Sequence, residues 1–427
     1  MRLGDRAAGA TGGMISRMAR EATRPLRARL ASARSHASGR FRAPGGRYLP
    51  LGRALAALAA LAAVAVAVGP AVAYGQGSGE SCLQAEPPPA SAPVNPLRFG
   101  ITPQLAGTVG ESQGAVLPDD RRARLAALDQ LRPPRRELVI RLNRLFMSDG
   151  RAAIRRFVRR ARLYARRGFA VESQIRYHPA PEQEGDMVAW TRFVRRATRA
   201  LARNRALVAL SITNEVNLPL SENTSDGAYE RAVEAIIRGV RVADRVLRRG
   251  ARRDVELGFT YAYRYTPAED AGFWEEIGAR AGPRFRRALD YVGVQLYPGL
   301  FWPPVLVTQT AGEATLEALT LVRDCYMPKA GLDDAYELWV SENGYATNLG
   351  HSEDRQAAEL VETLEAIHAY TGTLGVTDYR YFNLRDNRPD GADLFDNVGL
   401  LRADYSQKPA FELYRGLVSR LGTPSPR

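Results

Sequence analysis

Residues 207–217 read LVALSITNEVN, an apolar run that ends abruptly in polar side chains. Aliphatic and β-branched residues in so short a run predict a buried strand, with Asn214 and Glu215 at its carboxyl end. A second run, ELWVSENG at 337–344, has the same form and places Glu342 where the apolar residues stop. Each stretch therefore predicts a strand that carries a glutamate at its end.

Similar runs recur roughly every forty residues and alternate with charged amphipathic stretches, which is typical of repeated βα units and a parallel sheet. The predicted strands are 97–102, 138–143, 169–175, 207–213, 255–261, 291–296, 337–341 and 378–384. Eight parallel strands with helices between them predict a single (β/α)8 barrel, or TIM barrel, over residues 97–420. In such a barrel, an active site lies at the carboxyl ends of the strands.

Three N-terminal segments precede the predicted barrel. Residues 1–53 form a basic leader, with twelve arginines against Asp5 and Glu21. Residues 54–73 are an uncharged Ala/Leu/Val run, which suits either a cleaved secretory signal or a membrane anchor. Residues 74–96 are rich in Gly, Ser and Pro and predict a linker. Whether the apolar run is cleaved or retained as an anchor, we expect the barrel to be secreted or extracytoplasmic.

Composition limits the partners and cofactors. The formal net charge is +14, but the leader holds most of this excess, so the charge offers no case for nucleic-acid binding. The four histidines show no metal-ligand spacing, and we expect neither a metal nor an organic cofactor. Cys82 and Cys325 are the two cysteines, and they either form one disulfide or remain thiols. The sequence leaves the oligomeric state open.

The two strand-end glutamates suggest a definite chemistry. Strands four and seven face each other across one barrel mouth, so Glu215 and Glu342 can meet there. Retaining glycoside hydrolysis needs two carboxyl groups about 5–5.5 Å apart, one as nucleophile and one as general acid/base. Asn214 offers an amide for a sugar hydroxyl beside Glu215, which favours Glu215 as acid/base. Arg141 and Tyr297, at the ends of strands two and six, are placed to hold Glu342 as the ionised nucleophile.

The motifs also carry a resemblance to a known group of enzymes. Asn214-Glu215 after strand four, with Glu342-Asn343-Gly344 after strand seven, resembles clan A, the 4/7 superfamily of retaining glycoside hydrolases. The resemblance covers residues 97–420, and residues 397–417 are similar to the tail that follows strand eight in several of these families. It implies a glycosidase without a cofactor, which cleaves a β-linked oligo- or polysaccharide by double displacement.

Two positions depart from the pattern of the clan. Gln295 stands where the clan often has a histidine two residues before the strand-six tyrosine. Phe382 and Asn383 stand where the clan often has a tryptophan at the end of strand eight. The family and its sugar therefore stay open among cellulase-, mannanase-, galactanase- and xylosidase-like enzymes.

Several further residues are candidates for substrate contact. Trp302, in the loop after strand six, is a candidate sugar-stacking platform, and Asn383 a candidate substrate ligand. His178, just after strand three, fits a substrate ligand and a loop hydrogen-bonder equally well. Strand alternation predicts that Trp339 faces the helices, away from Glu342. The acidic loop at 386–397 lacks calcium-loop spacing and predicts a solvated loop.

Two other classes of function compete with a glycosidase. Gly110-Glu111-Ser112-Gln113-Gly114 matches the G-x-S-x-G string of serine hydrolases, but no helix pattern follows Ser112 directly. The second alternative is a surface barrel that binds a glycan without cleaving it. The presence of both Glu215 and Glu342 argues against that alternative.

Overall fold

The computed structural model of the protein describes residues 86–103, 117–220, 224–264, 266–389 and 391–425. The predictions for the leader, for the apolar run at 54–73, and for Cys82 and Ser112 lie outside these residues. Cys325 is buried in the folded part. Among the helices in the described ranges, none is long and apolar enough to cross a membrane.

Parallel strands close into a barrel in chain order, each pairing with the next and the eighth pairing with the first. The strands are β1 Arg98–Ile101, β2 Val139–Phe146, β3 Ala170–Arg176, β4 Leu207–Ile212, β5 Glu256–Ala262, β6 Tyr291–Gln295, β7 Glu337–Asn343 and β8 Val376–Tyr381. The predicted (β/α)8 barrel is confirmed. The eighth strand begins and ends earlier than predicted, so Asn383 lies just beyond it.

One main helix follows each strand and covers the outside of the barrel. These helices are α1 Arg121–Leu131, α2 Gly150–Ala165, α3 Met187–Leu201, α4 Ala232–Arg249, α5 Pro267–Arg280, α6 Ala311–Leu321, α7 Glu353–Ala369 and α8 Pro409–Leu421. Shorter helical turns span Pro181–Gln183, Asp226–Ala228, Pro283–Arg286, Val322–Tyr326, Met327–Lys329, Thr371–Leu374 and Leu394–Asn397.

Sequence periodicity explains how the outer helices pack. In α2, Ile154, Phe157 and Tyr164 are buried at helical spacing, while most of its arginines lie on the outer face. Asp120 and Asp186 cap α1 and α3, because each side chain accepts hydrogen bonds from amides of the first turn. The arginine-rich helices are therefore solvated outer helices, as the sequence predicts.

The barrel interior is unusually charged. Arg380 on β8 donates from Nε to Glu172 on β3 at 2.7 Å, and since these strands are not neighbours, the bond crosses the barrel axis. Arg141 Nε lies 3.3 Å from the other oxygen of Glu172, and Arg380 also donates to Asp378 at 2.6 Å. Arg98 extends this series of ion pairs, because its Nε donates a hydrogen bond to Asp378 at 2.8 Å. A buried series of ion pairs thus runs up the barrel axis towards its mouth.

The prediction that Trp339 faces the outer helices is wrong, although the residue is fully buried. Its ring stacks on Tyr291 with centroids 3.5 Å apart, and the guanidinium groups of Arg98 and Arg380 lie 5.0 and 5.2 Å from its centroid. Trp339 therefore points into the barrel. The register of β7 with β8 shifts between Val340 and Asn343, and this irregularity breaks the strict alternation on which the prediction rested.

The acidic loop at 386–397 is not the solvated segment that the sequence predicts. Asp386 and Asp396 are buried, and Lys408 donates to Asp386 at 2.9 Å and to Thr347 at 2.8 Å. A lysine distant in sequence neutralises the carboxylate, so no local pattern could reveal the burial. Lys408 thereby ties the loop after β8 to the segment after β7.

The interior ion pairs lead to a stability prediction for Arg380→Met. Methionine fills similar space but removes one of the two arginine partners of Glu172 and of Asp378, both of which are buried, so we expect the free energy of unfolding to fall by about 3–5 kcal/mol. Urea unfolding followed by circular dichroism measures this change. Arg420→Met, which removes an exposed pair with Glu365, is the matched control and should change stability by no more than about 0.5 kcal/mol. Equal stability of the two variants would contradict the prediction.

Candidate active site

The chain turns sharply where β4 ends, and the turn presents Glu215 at the barrel mouth. Thr213 and Glu215 have φ values of 70° and 47°, which are uncommon for residues other than glycine. The buried carboxylate of Asp226 stabilises this turn, because it accepts hydrogen bonds from the backbone amides of Asn214 at 3.0 Å and Tyr177 at 2.8 Å. Arg176 donates to the other oxygen of Asp226 at 2.8 Å.

Side chains from two strands fix the amide of Asn214. Its Oδ1 accepts hydrogen bonds from Gln295 on β6 at 2.8 Å and from Gln174 on β3 at 3.0 Å. Its Nδ2 therefore faces the mouth and donates to Glu215 Oε2 at 3.1 Å, and to the backbone oxygen of Thr224 at 3.0 Å. The network orients one amide N–H group beside the carboxyl group of Glu215.

Glu342 has a separate pair of donors, the two that the sequence predicted. Arg141 Nη1 donates to its Oε1 at 2.5 Å, and the Tyr297 hydroxyl donates to its Oε2 at 2.9 Å. The pKa of Tyr297 is raised well above its ordinary value by burial and by the negative charge of Glu342, so its hydroxyl keeps its proton. Arg141 remains cationic, because Glu342 and Glu172 outweigh the cost of its burial and raise its pKa.

Glu215 differs from Glu342 in its electrostatic environment. Burial and then the charge of Glu342 raise the pKa of Glu215 to about 8, although Arg176 and Arg141 oppose this shift. Its protonated form is thus favoured near neutral pH. Glu215 can thus serve as a proton donor, while Glu342, which accepts two hydrogen bonds, can serve as a nucleophile. Acid catalysis and nucleophilic attack need two carboxyl groups that differ in this way.

The remaining predicted residues lie around this centre. His178 is half-buried, stacks on Phe146 at 4.3 Å and shares a 2.7 Å hydrogen bond between its Nδ1 and the Tyr229 hydroxyl. Asn383 is buried, and its Oδ1 accepts a hydrogen bond from the Arg385 amide at 3.1 Å. Trp302 is half-buried and packs against the main core. Contact of these three residues with substrate stays a prediction.

Sequence reasoning missed an aromatic cluster beside Tyr297. Phe301 remains 37% exposed and stacks on Phe395 with centroids 5.1 Å apart, and both rings meet Tyr297 edge-on. Phe301 is adjacent to Trp302 in the chain and is the more exposed of the two rings, but the sequence predicted only Trp302.

Gln174 and Asp226 were missed as well. Gln174 had a signal, since Glu172, Gln174 and Arg176 are polar at every second position of a buried strand, which indicates an interior face. Asp226 had none, because its role depends on contacts that the sequence does not display. No group of three or more His, Cys, Asp or Glu residues within the described ranges could hold a metal ion.

Comparisons with known proteins show that the barrel fold is similar to the folds of two solved glycosidases. A family 1 β-glucosidase from Thermotoga maritima in complex with isofagomine lactam is similar at a TM-score of 0.52 and 14% identity, over 77% of this chain and 98% of that one. GH5_18 from Streptomyces cattleya in complex with GlcNAc is similar at a TM-score of 0.51 and 18% identity, over 78% and 83% of the two chains. No family model matches the chain, nor does any curated protein. At these identities the likeness is one of fold.

Proposed function

We propose that this protein is a retaining glycosidase that hydrolyses β-linked oligo- or polysaccharides. The observation that carries the proposal is the pairing of two unlike glutamates at the carboxyl ends of β4 and β7. Glu342 accepts hydrogen bonds from Arg141 and Tyr297, while burial and the charge of Glu342 favour the protonated form of Glu215. The β-glucosidase among the similar folds supports the β-linkage.

The proposed reaction proceeds in two displacements. A carboxylate oxygen of Glu342 attacks the anomeric carbon, the bond to the leaving oxygen breaks, and Glu215 gives its proton to that oxygen. Glu215, now ionised, removes a proton from water, and the water oxygen attacks the anomeric carbon of the glycosyl ester. The bond to Glu342 breaks, and the product keeps the configuration of the substrate. In this proposal, Asn214 binds the sugar hydroxyl next to the reacting carbon.

A trapping experiment tests this proposal directly. The protein is incubated with 2-deoxy-2-fluoro-β-glycosides that carry good leaving groups, and its intact mass and peptides are then measured. We expect one sugar adduct on the peptide that contains Glu342, because the fluorine slows hydrolysis of the ester. Glu342→Gln is the control and should stay unlabelled. An adduct on another residue, or glycan binding without any turnover, would contradict the proposal.

A further inference from the structure

Three polar residues lie on the buried side of α7, where a helix that covers a barrel is ordinarily apolar. They are Gln356, Glu359 and Thr363, which share one face because they are three and four residues apart. Each of them is at most 4% exposed. An unpaired polar group is costly when it is buried, so these side chains need partners where they lie. The pattern therefore indicates a polar site between α7 and the barrel.

One oxygen of each residue has no hydrogen-bond partner among the described residues. These oxygens are Gln356 Oε1, Glu359 Oε2 and Thr363 Oγ1. The orientation of the Gln356 amide is fixed, because its Nε2 donates to the backbone oxygens of Tyr345 at 2.7 Å and Gly399 at 3.2 Å. Three buried oxygens thus retain the capacity to bind a ligand.

A small cavity borders all three residues. Its volume is ≈ 10 Å³, which is room for one water-sized ligand. Asn343 and Gly344, the two residues that follow Glu342, line the same cavity, as does Pro298, which follows Tyr297. A ligand in this cavity would therefore lie against the strand end that carries the proposed nucleophile and the loop that carries its hydroxyl donor.

The charge around the cavity favours a cation over a neutral ligand. Arg355 pairs with Glu359, but the carboxylate of Glu362 lies 3.9 Å from the same guanidinium group. Two carboxylates thus share one arginine, which leaves one negative charge in excess. The Arg355 side chain is 42% exposed, so water weakens its attraction to the buried Glu359. Burial raises the pKa of Glu359 to about 7, although Arg355 opposes this shift.

We propose that Gln356, Glu359 and Thr363 bind one alkali cation, such as Na⁺, in this cavity, and that the cation stabilises the strand end that carries Glu342. Carbonyl, carboxylate and hydroxyl oxygens suit hard cations. A divalent ion fits less well, because Ca²⁺ takes about six to eight oxygen ligands and Mg²⁺ keeps several waters. A neutral water molecule would satisfy the same hydrogen bonds, but it would leave the excess charge uncompensated. The site contains no histidine, so histidine spacing could not predict it.

Thermal unfolding in matched salts tests the site. The melting temperature is measured well above neutral pH, where Glu359 is ionised, in rising NaCl with choline chloride added to keep the ionic strength constant. We expect Na⁺ to raise the melting temperature of the wild-type protein by about 2–4 °C and to saturate, because a ligand that binds only the folded state stabilises it. Choline is too large for the cavity and serves as the reference cation.

Two variants locate the effect in the cavity. Glu359→Gln removes the charge at nearly constant volume, and Thr363→Val removes only the hydroxyl oxygen. We expect Glu359→Gln to lose the response to Na⁺, and Thr363→Val to need at least about 10-fold more Na⁺ for half of the rise. Glu365→Gln, at an exposed position of the same helix, is the matched control and should respond as the wild type does. Thr363→Val keeps the inference testable if Glu359→Gln does not fold.

The outcomes separate this inference from the proposed function, on which the cation site does not depend. Equal melting temperatures in the two salts, or an equal response to Na⁺ in Glu359→Gln and the wild type, would overturn the cation site and leave a cavity that holds only water. A fluorosugar adduct on Glu342 would still support the glycosidase function in that case. A response to Na⁺ without any adduct on Glu342 would support the cation site while the glycosidase function fails.

Discussion

Replacement of Glu342 with Gln is expected to lower kcat/KM by at least about 10⁴-fold on any glycoside that the wild-type protein hydrolyses. The amide has nearly the volume of the carboxylate, so the fold should persist. It lacks the negative charge that attacks the anomeric carbon, and it no longer matches the donors Arg141 and Tyr297. Steady-state kinetics with an activated aryl glycoside measures the loss.

Glu337→Gln provides the matched control for this prediction. Glu337 lies on the same strand at the opposite end of the barrel, where it accepts hydrogen bonds from Trp339 and Thr377 at 2.8 Å. Its replacement should leave turnover close to that of wild type. A near wild-type rate for Glu342→Gln, or an equal loss in both variants, would show that the assigned nucleophile is wrong.

A smaller replacement at the same position distinguishes a lost nucleophile from general damage. Glu342→Gly leaves space beside Arg141 and Tyr297 that azide can enter, and azide can attack the anomeric carbon in place of the carboxylate. We expect azide to restore turnover and to give a glycosyl azide of inverted configuration, which proton NMR identifies. Glu337→Gly should show no response to azide, since no nucleophile has been lost there.

The strands and the positions of the two glutamates were predictable because their signals are local. A short aliphatic run predicts a buried strand, and a polar residue directly after the run predicts where the strand ends. Once the strands were counted, Glu215 and Glu342 could be predicted to lie across one barrel mouth. Arg141 and Tyr297 followed from the same rule, and the structure brings both to Glu342.

The rest depends on contacts between distant strands, which the sequence does not display. The amide of Asn214 is oriented by glutamines from β3 and β6, and Gln295, which departs from the clan pattern, is one of its two anchors. The interior face of Trp339 follows from a local irregularity in β7 that the alternation rule cannot anticipate. Arg144, with a φ of 66°, lies in a similar bulge of β2.

Glu215→Gln is expected to remove the alkaline limb of the pH profile. Because burial and Glu342 raise the pKa of Glu215 to about 8, the wild-type acid stays protonated through neutral pH. The wild-type kcat/KM should therefore hold near neutrality and fall as the pH rises through about 8, where the acid loses its proton. Glutamine cannot titrate, so the variant should show no fall in that range.

The size of the loss in Glu215→Gln should depend on the leaving group, which a merely structural role would not explain. Glycosides whose leaving oxygen needs a proton should lose about 10²–10⁴-fold in kcat/KM, whereas a dinitrophenolate leaves without one and should lose far less. Kinetics with a series of aryl glycosides of graded leaving-group acidity measures this dependence. Glu276→Gln, on the exposed outer helix α5, is the control. If the alkaline limb survives in Glu215→Gln, or all leaving groups suffer equally, another residue is the acid, and the turn that presents Glu215 serves only the fold.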